Sequence, residues 1–176
     1  MDERTLSTRR VFDGRLLAVR VDEVVMADGR PATREIVEHP GAVAILAWDG
    51  ERMAVVRQWR QAAGRPTLEI PAGTRDPGEE PRHTAERELA EECGVAADGW
   101  EAGPGFWTAP GFCTEFLTVW LATDLRPVSV AVPDDESLEV EWLTLPEALD
   151  AVAEGKISDA KSLVGVYWLA RRLGRG

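Results

Sequence analysis

Residues 68–95, LEIPAGTRDPGEEPRHTAERELAEECGV, constrain this chain more than any other stretch, because they crowd carboxylates where ordinary folding does not favour them. The second half carries helix punctuation. Pro81 suits a first helical position, Gly94 suits a stop, and Ala85, Leu89 and Cys93 recur every fourth residue as a stripe to be buried. Glu88, Glu91 and Glu92 fall off that stripe and share one face. The four-residue pair is separated by about 6 Å along the axis, at about 1.5 Å rise per residue. Like charges so placed cost roughly a few tenths of a kcal/mol per pair, and acids near a helix C-terminus also oppose its dipole. Such a conflict predicts a compensating ligand. A hard divalent cation held through oxygen, Mg²⁺ first and Mn²⁺ as the substitute, is expected. Pro71, Gly73 and Gly78 punctuate a loop ahead of the helix, giving a strand, loop and helix unit with its acids at one end.

Composition limits what else the chain can be. At 176 residues, with 44% hydrophobic and 29% charged residues, it has the length and balance of about one globular domain with a short N-terminal extension. No run approaches the ~20 apolar residues of a membrane span, and the opening MDERTLSTRR is too charged for a secretory signal, so a cytoplasmic protein is expected. Cys93 and Cys113 lack a paired motif and histidines at ligand spacing, which predicts reduced packing thiols. The net charge of −11 argues against a nucleic-acid partner. It leaves open a small anionic ester arriving as a metal complex, because bound cations can invert the sign of an acidic pocket.

In chain order, residues 11–26 read as a strand rich in Val and Leu, followed by the turn Asp28-Gly29 and a second strand at 33–39. Strands are expected at 42–48, 53–59 and 68–70 before the acidic helix, and at 100–108, 115–122 and 138–143 after it. Two helices close the chain, at 146–153 and about 158–173. That order predicts an α+β chain, an α/β/α sandwich with a mixed sheet, preceded by a small N-terminal antiparallel sheet. The expected division is a β extension over residues 1–40 and the main domain over 41–176.

The spacing of the acidic segment is also distinctive. Gly73, five residues, Glu79, seven residues, then Arg87-Glu88-Leu89-Ala90-Glu91-Glu92-Cys93-Gly94-Val95 fills every fixed position of the Nudix box, so the segment resembles the Nudix hydrolases. Three outer features are similar to the ADP-ribose pyrophosphatase branch. They are Pro110, fifteen residues beyond Val95; the segments 34–39 and 57–60; and Gly155-Lys156-Ile157-Ser158-Asp159-Ala160-Lys161-Ser162.

The resemblance implies the Nudix fold, a nucleotide substrate, and hydrolysis of the pyrophosphate of ADP-ribose to AMP and ribose 5-phosphate with Mg²⁺. It implies that the Ala72 carbonyl, Glu88 and Glu92 hold metal, with Glu91 a ligand or close neighbour. Arg87 would orient the glutamates and Glu79 would tie the loop to the helix. Arg60, Ala109, Pro110, Gly111 and Glu115 would hold the diphosphate and terminal ribose, and Leu16 and Glu35 the adenine. Trp107 and Phe112 flank that loop, and one of them is a candidate to stack on a base. The general base would come from the acidic loop, Glu136 first as base or metal ligand and Asp134 second, with Glu115 in reserve. The same resemblance implies a homodimer that exchanges the N-terminal sheet. Two other readings stay open: hydrolysis of another nucleoside diphosphate derivative, such as a GDP-sugar or flavin dinucleotide, and a sensor that binds ADP-ribose without hydrolysis.

Overall fold

The computed structural model describes residues 2–130 and 138–175. It divides into two compact units, Met1–Gly41 with Trp107–Phe116, and Ala42–Phe106 with Leu117–Gly176.

The first unit is an antiparallel meander of β1 (Arg4–Asp13), β2 (Ala18–Val25) and β3 (Pro31–Glu38). Here the strand expected over 11–26 is corrected: it breaks at Gly14, whose N–H donates to the Leu17 carbonyl at 2.9 Å. Alternation in Val and Leu runs through both strands and hides the Asp13-Gly14 turn between them. The Asp28-Gly29 turn forms as read, with Gly29 at φ 85 and the Asp28 carboxylate accepting from the Arg30 N–H at 3.1 Å. Residues 108–115 attach to β3 by main-chain bonds, Val37 N–H to the Phe112 carbonyl at 2.7 Å and Thr114 N–H to the Val37 carbonyl at 2.9 Å.

The second unit is the expected sandwich. Its strands are β4 (Ala42–Ala47), β5 (Arg52–Arg60), β6 (Arg65–Glu69), β7 (Ala72–Thr74), β8 (Val95–Trp107), β9 (Phe116–Pro127) and β10 (Leu138–Thr144). Its helices are α1 (Pro81–Cys93), α2 (Leu145–Ala153) and α3 (Ala160–Arg172). One sheet runs β7-β4-β9-β8 and is mixed, β4 lying antiparallel to β7 and parallel to β9; the other runs β10-β5-β6 with antiparallel pairing. The apolar run AVAILA makes β4 buried at every position, the pattern of a strand covered on both faces. Ala42, Ala44 and Leu46 point into the cluster that includes Leu145, Ile157, Val166 and Leu169, while Val43, Ile45 and Ala47 meet Ala85 and Leu89 of α1. Period-two alternation therefore places α1 on one face of β4 and α3 on the other.

Helix ends follow local chemistry. Gly94 closes α1 at φ 65, its N–H donating to the Ala90 carbonyl. Thr144 and Glu147 form a reciprocal capping box at the start of α2: the Thr144 N–H reaches the Glu147 carboxylate at 2.8 Å, and the Glu147 N–H reaches the Thr144 hydroxyl at 3.4 Å. Thr144→Ala is expected to cost about 1 kcal/mol. For a chain of this size that lowers the thermal midpoint by roughly 2–4 °C; an unchanged midpoint in calorimetry would remove the cap from the stability account.

Candidate active site: carboxylates gathered against a strand

The acidic face of α1 is built against β7. Glycine at position 73 makes this possible: a Cβ there would lie 1.8 Å from Glu88 Cδ and 1.9 Å from its Oε1, so the Glu88 carboxylate occupies the space a side chain would fill. One turn on, Glu92 is 8% exposed, and its Oε2 accepts from the Ala72 N–H at 3.0 Å. Two of the three clustered carboxylates thus sit beside consecutive residues of one short strand.

Arg87 organises the others. Its Nη1 donates to Glu88 Oε1 at 2.7 Å and Glu91 Oε2 at 3.1 Å, while Nε and Nη2 reach Glu79 at 3.3 and 3.2 Å. Nη2 also reaches the Thr74 carbonyl at 3.4 Å. Glu79 accepts in addition from the buried Thr84 hydroxyl at 2.8 Å and the Asp76 N–H at 3.2 Å. The Arg87 hydrogen bonds, ahead of an opposing burial effect, bring the Glu79 carboxyl down to about 2. Arg87 itself is raised, chiefly by Glu79. This arrangement holds the loop of residues 75–80 onto the helix and turns the carboxylates toward Ala72 and Gly73.

Glu88, Glu91 and Glu92 carry oxygen donors of the kind a hard divalent cation takes, but among the described residues no three acids, histidines or cysteines are grouped closely enough to hold one as they lie. Arg60, at the end of β5, lies close enough to feel the Glu92 charge. Its guanidinium grips Glu69, with Nε at 3.0 Å from Oε1 and Nη2 at 2.7 Å from Oε2. Glu69 escaped the sequence reading. The signal available was a lone acid between Leu68 and Ile70, both of which are buried, on a strand leading into the box.

The remaining candidates belong to the first unit. Leu16 is exposed in the turn after β1, and Glu35 is exposed on β3 opposite Val21. Ala109, Pro110 and Gly111 begin a turn closed by the Phe112 and Cys113 N–H groups donating to the Ala109 carbonyl at 3.1 and 2.9 Å. Glu115 accepts from the Thr108 hydroxyl at 2.7 Å. Trp107 meets Phe116 edge-on with ring centroids 5.1 Å apart, and with Phe112, Pro110 and Arg34 it lines a cavity of about 410 Å³. Asp134, Asp135 and Glu136 lie outside the described residues. Cys93 and Cys113 are free thiols, and burial raises Cys93 to about 12, as suits a packing role.

A family model described as the NUDIX domain matches residues 38–163, and one described as the nucleoside diphosphate sugar hydrolase N-terminal domain matches residues 3–37. The chain belongs to the Nudix hydrolase family. Among curated relatives, a Bacillus methanolicus protein named methanol dehydrogenase activator is 38% identical over 171 residues, covering 96% of this chain and 92% of the relative. A Bacillus subtilis (strain 168) protein named ADP-ribose pyrophosphatase is 38% identical over 172 residues, covering 96% and 93%. A solved structure titled as an ADP compounds hydrolase superposes with a TM-score of 0.88 over 100% of this chain and 98% of its own, at 22% identity, which confirms the Nudix fold. No helix among the described residues is long and apolar enough to cross a membrane.

Two outcomes test this Nudix site. In Gly73→Ala the new methyl meets the end of a flexible side chain, so the fold should persist while Glu88 is displaced. Hydrolytic turnover is expected to fall by about a hundredfold with little change in thermal midpoint; wild-type turnover would show that Glu88 need not lie there. The second outcome concerns pH. Glu79 has a folded value below its unfolded one, so its stabilisation is complete above the ordinary carboxylate value of 4.5 and is lost as pH falls toward about 2. Denaturant titrations should therefore give Glu79→Gln a shallower loss of stability than the parent across that window; equal slopes would dissociate Glu79 from acid lability.

Proposed function

We propose that this Nudix hydrolase cleaves the pyrophosphate of ADP-ribose, giving AMP and ribose 5-phosphate, with Mg²⁺ bound at the α1 carboxylates and Mn²⁺ able to replace it. The observation that supports the reading is the pairing of Glu88 with Gly73 and of Glu92 with the Ala72 N–H, which brings two carboxylates of one helix against consecutive residues of one short strand. The name of the Bacillus subtilis relative and its coverage of both chains support the choice of substrate.

Glu88, Glu92 and the Ala72 carbonyl are assigned to the metal, with Glu91 beside them. Such a cation, when bound, neutralises phosphate charge and lowers the pKa of a coordinated water. Arg87 keeps the glutamates oriented, and Arg60 offers its guanidinium to the diphosphate. Leu16 and Glu35 are assigned to the adenine, and Ala109, Pro110, Gly111 and Glu115 to the ribose phosphate end. Glu136 takes the proton of the attacking water, with Asp134 the second candidate and Glu115 the third. A homodimer is part of the same proposal, supported by the exposed Leu6, Val11, Phe12 and Leu16 of the N-terminal sheet region. Cytoplasmic residence accords with the two free thiols.

A second reading, another nucleoside diphosphate sugar as substrate, has the N-terminal family match in its favour. Rates over a panel of ADP-ribose, GDP-sugars and flavin dinucleotide separate the two. ADP-ribose should give the highest kcat/KM, and a GDP-sugar at the top would overturn the choice. A phosphate-release assay coupled to a phosphatase tests hydrolysis itself, and tight ADP-ribose binding without release would make the protein a sensor. Glu92→Gln should lower turnover by about a hundredfold or more while α1 stays folded; full activity in Mg²⁺ would refute the metal assignment.

A further inference from the structure

Glu69 is the last residue of β6 and is 3% exposed, yet it carries a charge with four donors around it. Oε1 accepts from Arg60 Nε at 3.0 Å and from the Thr67 hydroxyl at 2.6 Å. Oε2 accepts from Arg60 Nη2 at 2.7 Å and from Lys161 Nζ. Lys161 Nζ also reaches Asp159 Oδ1 at 2.8 Å, and Asp159 caps α3 by accepting from the Ser162 N–H at 3.2 Å. The Ser162 hydroxyl in turn accepts from the Ile70 N–H at 2.8 Å. Burial by itself would raise the Glu69 carboxyl; the Arg60 and Lys161 contacts bring it down to about 2.

The geometry of the Arg60 contact matters most. A carboxylate taking Nε and Nη2 side-on leaves both Nη1 hydrogens unspent among the described residues, and the Arg60 side chain is still 43% exposed. Glu69 thus fixes the plane of the guanidinium and turns its free edge outward. An arginine held this way loses little side-chain entropy when an anion arrives, because its rotamer is already set. Lys161 and Thr67 keep the carboxylate from rotating. The two cations and two anions of Arg60, Lys161, Glu69 and Asp159 balance, so the hub adds no net charge beside the metal-binding acids.

We propose that Glu69, held by Thr67 and Lys161, is the positioning residue that aims the Nη1 edge of Arg60 at the substrate's diphosphate. This rests on the reading above that Arg60 meets the diphosphate. The diphosphate is charged before and throughout the reaction, so losing the aim weakens substrate binding more than it slows the chemical step.

The test is steady-state kinetics with ADP-ribose and Mg²⁺, alongside thermal unfolding, for Arg60→Ala, Glu69→Gln, the double variant and Thr67→Val. Arg60→Ala should raise KM by about tenfold or more, and Glu69→Gln by a similar factor with kcat within about threefold of the parent. The double variant should match Arg60→Ala alone, since a residue acting through another adds nothing once that other is gone. Multiplying KM effects in the double variant would overturn the inference, as would a parental KM in Glu69→Gln. Should Glu69→Gln fail to fold, Thr67→Val carries the test, with KM raised about two- to threefold in the parent and unchanged in the Arg60→Ala background. A parental KM in Thr67→Val would then refute the hub. A parental KM in Arg60→Ala instead removes the premise that Arg60 binds the diphosphate, a failure distinct from that of the hub.

Discussion

Mutual repulsion among the carboxylates of α1 is the constraint around which the second unit is arranged. Glu88, Glu91 and Glu92 occupy the last two turns of a helix whose final turn contains no basic residue, so neither the dipole nor a neighbouring cation in that turn relieves them. Relief comes from elsewhere in the fold. Arg87 takes Glu88 and Glu91 on one nitrogen, the Ala72 N–H takes Glu92, and the missing side chain of Gly73 makes space for Glu88. The last two devices depend on β7 lying beside the helix, which the pairing of β7 with the buried β4 secures. Ala85 and Leu89, fully buried beneath, fix the rotation of α1 about its own axis and so decide which face carries the acids.

Two guanidiniums in this unit use their donors in different ways. Arg87 spends its donors on the protein, gathering Glu79, Glu88 and Glu91 and a strand carbonyl. Arg60 spends one side on Glu69 and keeps the other. In a chain of net charge −11, cations placed beside the carboxylates matter more than the overall field, because interactions at hydrogen-bond range are screened far less than those across the surface. The capped start of α3 belongs to the same construction: Ser162 and Lys161 join it to Ile70 and Glu69, two and three residues before Ala72.

The family matches divide the chain much as its chemistry does. The Nudix match spans the last residue of β3 to the first turn of α3, and the N-terminal match covers nearly all of the meander. A relative of nearly the same length carries a name that speaks of activating a dehydrogenase, and another carries a name that speaks of ADP-ribose. Similar chains thus bear different names, which is why residues at the site, more than the family, have to argue the substrate.

Much of this was legible in the order of residues. Pro81, Gly94 and the stripe Ala85, Leu89 and Cys93 specify a helix by local rules, and the run AVAILA specifies a strand covered on both faces, because period and turn chemistry act over a few residues. The box spacing named the family for the same reason: it is a pattern along the chain. The break at Gly14 was lost because one alternating pattern continues on both sides of it. Why Gly73 must be glycine, that Glu69 takes Arg60 and Lys161 together, and that Glu92 finds the Ala72 N–H could not be read in advance. Those contacts join residues 9 to 92 positions apart, and a charge buried among apolar neighbours shows its partners only after the strands have paired and the helices have covered them.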